Sequence, residues 1–247
     1  KPKDRLFDAC NIIFLGVMAF ICIYPFYYMF IFSISDPARV SEGITFLPAS
    51  FSLLSYRSVL ATNGILLAFG VSAARAVVGT AVTLLCSGIM AYIFTKKELF
   101  FRKVLYRFVI ISMYLNAGLI PWYITMKSYG LKNSFLLYVL PSAVGAFYII
   151  VIKTYIESLP AALEESASID GAGFIRIFFQ VILPLCKPVI ASVAVFSAVS
   201  QWNYWIDNFL LVNNQNLKTL QLILYEFLQT NNPTVSNMKN MTGKGGT

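Results

Sequence analysis

Long apolar runs alternate with short polar breaks along this chain, and within each run the apolar residues are continuous rather than alternating. A segment that is apolar on every side has no wet face and needs either a large core or a bilayer around it. With about 20 residues as the length that crosses a bilayer, the pattern predicts spans at Asn11–Ile34, Ile65–Phe94, Val104–Met126, Phe135–Ile156 and Val189–Leu211. Lys1–Asp8 reads as a polar lead-in at the membrane surface, and Asp36–Asn63 as a loop holding Pro37 and Pro48. Lys96–Lys103 is a tight basic turn, Lys127–Asn133 a second turn around Gly130, and Glu157–Lys187 a longer polar loop. A β-barrel is excluded by the lack of residue-by-residue alternation. The first run is too long for a signal-peptide core and lacks a cleavage site, so it is expected to be retained as a span. The expected fold is therefore an all-α, polytopic transmembrane helix bundle, one domain over residues 1–247, without a soluble domain or internal repeat.

Composition sharpens this reading. Charged residues are 12% of the chain, about half the usual ~25% share. The net charge of +8 raises the possibility of nucleic-acid binding, but distribution argues against it. Basic residues gather at span ends, in Lys1–Arg5 and Lys96–Arg107, as topology selection requires. With the N-terminus inside, the inner segments hold Lys1, Lys3, Arg5, Lys96, Lys97, Arg102, Lys103, Arg107, Lys153, Arg176 and Lys187. The outer ones hold Arg39, Arg57, Lys127, Lys132 and Lys218 before the tail. This bias places Glu157–Lys187 in the cytoplasm. Cys10, Cys22, Cys86 and Cys186 show no pairing pattern and lie in or beside apolar segments, as buried small hydrophobes do.

Glu157–Lys187 keeps a helical pattern although it is polar: Ser158 marks a start, Pro160 sits just inside it, and Gly171 sits where a helix would end. Within it, Glu165-Ser-Ala-Ser-Ile-Asp-Gly171 is followed, after nine residues, by Val181-Ile-Leu-Pro184. This spacing resembles the cytoplasmic loop of ABC-importer permeases, Glu-Ala-Ala, three residues, Gly, nine residues, Ile-x-Leu-Pro, with Ser166 and Val181 as the two departures. Asp170-Gly-Ala172 and the pair Pro184/Pro188 are similar to the carbohydrate-uptake branch. Tyr24-Pro-Phe26, Ser33-Ile-Ser-Asp-Pro37, Gly118-Leu-Ile-Pro121 and Leu220-Gln221 resemble the subgroup for complex and uronic-acid-containing oligosaccharides.

The resemblance implies one permease subunit of an ATP-driven importer in the bacterial cytoplasmic (inner) membrane. Its implied partners are a homologous second permease, two ATPase subunits and an extracytoplasmic sugar-binding protein, in a lipid bilayer and without nucleic acid. It implies that Glu164, Glu165, Ala167, Asp170, Gly171 and Pro184 couple the chain to the ATPase. Ala161, Ala162 and Ala167 would keep one side of the docking helix narrow, and Pro184 and Pro188 would stiffen the return into the membrane. It also implies one further span after Leu228, not found here, with Leu217–Leu228 too short to replace it. The chain carries no phosphate-binding Gly-rich loop, no H-E-x-x-H and no G-x-S-x-G. No cofactor is expected on it, and ATP and Mg are expected on the partner ATPase.

Gln201, Trp202, Asn203 and Trp205 are candidates to line the substrate pathway, since indole rings stack on sugar faces and amides bond hydroxyls. Trp and Tyr also collect at membrane interfaces whatever the substrate, so a belt reading stands beside it. Arg75, inside the second span, either faces a cavity or a carboxylate or snorkels to the interface. Tyr114, Asn116 and Trp122 are further candidates in the third span, where Gly118 and Pro121 predict a kink. Two rival functions remain at this level: a permease for another solute such as a polyamine or phosphonate, and a membrane enzyme or scaffold. The first needs more intramembrane charge and the second a catalytic acid, base or metal site, and the chain has no His.

Overall fold

The computed structural model describes residues 2–36, 39, 47–48, 50–115 and 117–230, and the chain divides into two compact units, Lys1–Ile65 and Leu66–Thr247. In the first, α1 runs over Pro2–Ser33. Residues 2–8 of the polar lead-in are thus part of the helix, since proline near a helix start costs no backbone hydrogen bond. Phe20, Tyr24, Tyr28 and Phe32 stack at i, i+4 with ring centroids 6.2–6.3 Å apart. The Ser35 hydroxyl donates to the Ile31 carbonyl at 2.7 Å, closing the helix end. The segment read as a loop contains a second helix, α2, Leu54–Ala61.

The second unit is organised on α3, Ile65–Thr95, whose 31 residues extend about 46 Å at 1.5 Å per residue. It is followed by α4 (Arg102–Tyr114), α5 (Leu119–Ser128), the single turn α6 (Leu136–Val139) and α7 (Ala146–Glu157). Next come α8 (Ala162–Ile169), α9 (Phe174–Leu185), α10 (Lys187–Asn203), α11 (Ile206–Leu211) and α12 (Leu220–Thr230). Among the described residues, two helices are long and apolar enough to cross a membrane on their own, Phe7–Ser33 and Ile65–Thr95. The pairs α4/α5, α7/α8 and α9/α10 bend by 118°, 80° and 83°.

The expected third, fourth and fifth spans are each broken within their predicted bounds. Gly118 adopts φ +84° ahead of Pro121. The fourth breaks after α6, where Pro141 lacks an amide hydrogen. The fifth breaks at Tyr204, whose extended backbone separates α10 from α11. Two apolar cores flank these breaks. One joins Tyr92, Phe94, Ile152, Phe178, Ile182 and Val189, and the other Leu131, Leu137, Tyr138 and Leu211. Along α10 the order is Val189 and Val193 in the first core, then buried Ser197 and Gln201.

Candidate functional site

Breaking a helix inside a membrane frees backbone groups that lipid cannot satisfy. Here α3 satisfies them from one face, at positions 72, 75, 79, 83 and 87, all of them buried. The Ser72 hydroxyl accepts from the Leu220 amide at 2.8 Å. Thr83 donates to the Ser142 carbonyl at 2.8 Å, and Ser87 accepts from the Gly145 amide at 3.1 Å, so the break after α6 is held on both sides. Arg75 donates to the Tyr204 carbonyl at 2.8 Å, which is the break between α10 and α11. Gly79 gives the room: a Cβ there would lie 2.6 Å from Gln201 Nε2.

Arg75 is the centre of this face. Its guanidinium meets the Asp207 carboxylate in a two-pronged pair, Nη1–Oδ1 3.1 Å and Nη2–Oδ2 2.7 Å, with both side chains only 3% exposed. Its Nε donates to Gln201 Oε1 at 3.1 Å, and Gln201 Nε2 donates onward to Ser142 Oγ at 2.6 Å. The Tyr138 ring lies 4.7 Å from the guanidinium carbon. Of the alternatives open from sequence, Arg75 takes the carboxylate and does not snorkel. Its charge is compensated within the chain, so it presents no free cation to a substrate.

Beside this network lies a cavity of about 240 Å³. Arg75 and Gln201 border it; Trp202, Asn203, Trp205 and Tyr114 do not. The Trp202 ring meets Phe69 edge-on at 5.8 Å, and exposed Asn203 accepts from Gln221 Nε2 at 3.0 Å. Trp205 stacks on Tyr225 at 3.9 Å, which covers one face of its indole. Tyr114 is exposed at the end of α4, and Asn116 lies outside the described residues. The cavity is lined instead by Trp122, Tyr138, Ser142, Tyr148, Ser197 and Ser200, among others. Asp207 and the Ser72/Thr83/Ser87 face escape a motif search. The legible signals were an acid in an apolar run and small polar residues recurring at helical spacing in α3.

At the opposite end of α3 sits the loop of α8 and α9. Ser158 caps the end of α7, its hydroxyl donating to the Tyr155 carbonyl at 2.7 Å, and α8 starts at Ala162 after Pro160. The start expected at Ser158 is displaced because proline restricts the residue before it to extended backbone. Gly171 has φ +81° and closes α8 in a Schellman motif. The Ala172 amide donates to the Ala167 carbonyl at 3.1 Å and the Gly171 amide to Ser168 at 3.0 Å. Ala167 packs against the first core, whereas Ala161 and Ala162 are exposed, so the three alanines do not share one free face. Glu165 and Asp170 face solvent beside exposed Ile169, Phe174 and Ile175.

Glu164 turns inward. It pairs with Lys96 at the end of α3 and accepts a hydrogen bond from the Tyr92 hydroxyl at 3.0 Å. The Lys96 ammonium also lies 3.8 Å from the Tyr92 ring centroid. Burial pushes Lys96 down to about 8, an effect the Glu98 carboxylate opposes. Pro184 follows a π-helical turn, Phe178–Ile182, whose wider winding makes room for a ring without an amide hydrogen. Pro184 and Pro188 occupy the first positions of helical segments on either side of the 83° bend.

A family model described as "Binding-protein-dependent transport system inner membrane component" matches residues 83–214. The chain belongs to this family. It is 39% identical over 234 residues to Protein LplC of Bacillus subtilis (strain 168), covering 94% of this chain and 79% of that protein. It is 35% identical over 240 residues to the polygalacturonan/rhamnogalacturonan transport system permease protein YtcP of the same organism, covering 97% and 84%. A solved bacterial ABC transporter involved in import of the acidic polysaccharide alginate contains a chain that matches with TM-score 0.88 and 29% identity. That match covers 98% of this chain and 87% of that one. Residues 83–214 take in the α8–α9 loop, Ser142, Gln201 and Asp207, whereas Arg75 lies before them.

Proposed function

We propose that this permease carries a polysaccharide-derived oligosaccharide across the cytoplasmic membrane by alternating access, driven by ATP hydrolysed on a partner ATPase. The observation that carries the reading is the near-full-length similarity to a permease named for polygalacturonan and rhamnogalacturonan and to an importer of alginate. A second permease, two ATPase subunits, which would hold ATP and Mg, and an extracytoplasmic sugar-binding protein complete the complex. The α8–α9 loop lies on the cytoplasmic side in this reading. Its solvent-facing residues, Glu165, Ile169, Asp170, Phe174 and Ile175, form the surface offered to the ATPase.

Two connections pass a displacement of α8 into the bundle. One runs through α9 and the Pro184/Pro188 bend into α10. The other runs through Glu164, Lys96 and Tyr92 into α3, an unbroken helix that carries Arg75 about 30 Å away, at 1.5 Å per residue. The far end of α3 holds the Tyr204 break through Arg75, so both routes meet at the cavity. The test is uptake by the complete complex in vesicles with binding protein outside and ATP inside. Oligogalacturonide or alginate oligosaccharide is expected to enter only with both present. Uptake of a polyamine or phosphonate instead, or sugar entry without ATP, contradicts the reading.

A further inference from the structure

We infer that the turn between α3 and α4 binds the headgroup of an anionic phospholipid, whose acyl chains lie along an exposed apolar stripe of α4. The import reading enters only in placing this turn at the cytoplasmic face. A cleft of about 500 Å³ opens there, lined by Lys97, Leu99, Phe101, Arg102, Lys103 and Val104. Three of these side chains are cations and none is an acid, so the wall attracts a phosphodiester.

The cations are available to such a ligand. Lys97 and Lys103 are exposed and form no ion pair among the described residues. Arg102 donates to the Thr95 carbonyl at 3.0 Å, while its separation from the Glu157 carboxylate is 3.9 Å. Lys153 holds that carboxylate more closely, at 2.7 Å. Glu98, the one acid of the turn, lies outside the cleft, and its charge acts on Lys96. Lys96 itself turns away to Glu164.

Apolar exposure narrows the partner to a lipid. Phe100 is 79% and Phe101 65% exposed, with ring centroids 4.2 Å apart. Phe101 takes φ +57°, a backbone region that bulky residues rarely adopt and that recurs at ligand clamps. Beyond it, Val104, Phe108 and Ile111 stand exposed at helical spacing along α4. Rings level with cations, and an apolar stripe leading away from them, match the boundary between headgroups and acyl chains. A free phosphate would use the cations and leave the rings in water, whereas a lipid uses both.

The experiment places the complete complex in vesicles of phosphatidylglycerol and phosphatidylcholine at equal mole fractions. One lipid at a time carries a photoreactive acyl chain, and adducts are mapped by peptide mass spectrometry. Phosphatidylglycerol is expected to label residues 97–111 about tenfold more than phosphatidylcholine. Lys97→Gln and Lys103→Gln should each lower that excess about fivefold, the effect of one cation near an anionic surface. Lys187→Gln, an exposed cation at the start of α10, should leave it unchanged. Equal labelling by the two lipids, or an equal loss in all three variants, overturns the site. Absence of adducts at 97–111 overturns it too, because another subunit then covers the turn. Uptake is not measured, so each of these failures leaves the import reading intact.

Discussion

The two ends of α3 solve the same problem in different solvents. At one end Arg75 and Asp207 are 3% exposed each; at the other Lys96 is 14% and Glu164 31% exposed. Each pair ties α3 to a neighbouring break in the helical backbone. The buried pair gave up hydration on both partners, so removing one leaves an uncompensated charge in a low-dielectric interior. The second pair is less deeply buried and keeps some access to water, so losing it costs less stability than losing the first. A strong tie suits a wall that must keep its shape, and a weak one suits a joint that must move. In the proposed mechanism the moving joint is at the ATPase end.

The comparison is broken most severely by Asp207→Ala. It should destabilise the protein by about 3–5 kcal/mol, the cost of an orphaned buried charge, read as loss of thermal stability or of folded yield. An effect below about 1 kcal/mol, the range of surface pairs, would erase the distinction between the ends. Next is Gly171→Ala. A methyl there meets no atom within 4 Å, so the whole penalty is the left-handed backbone at φ +81°, about 1–2 kcal/mol. Gly171→Asn should cost less, because asparagine tolerates that region. If alanine and asparagine cost the same, the glycine serves a close contact with a partner rather than the Schellman cap. The smallest effects belong to Trp202→Phe and Asn203→Ala, outside the cavity, which should leave stability within about 0.5 kcal/mol and uptake near normal. A tenfold loss of uptake in Asn203→Ala would move the pathway to that face.

Helix positions and the Glu165–Pro184 loop were legible because they depend on local signals: apolar length, proline, glycine, and motif spacing. The breaks in the third to fifth spans were only partly legible. Gly118 and Pro121 announced one, but Pro141 and the Tyr204 break depend on Thr83, Ser87 and Arg75, which are 58 to 129 residues away in the chain. Trp202, Asn203 and Trp205 drew attention by residue type, yet they meet Phe69, Gln221 and Tyr225 and do not border the cavity. Trp122 and Tyr148 reach the cavity only through folding of segments far apart in sequence.

The central claim is that α8 drives the pathway through its Glu164–Lys96 contact with α3. The direct measurement is the number of oligosaccharides imported per ATP hydrolysed by the reconstituted complex, for Lys96→Glu, for Glu164→Lys and for both together. Each single variant places like charges in contact and should lower that ratio with ATP hydrolysis retained, and the double exchange should restore much of it. If the single variants import as many sugars per ATP as the unmodified complex, the contact carries no motion and the claim is wrong.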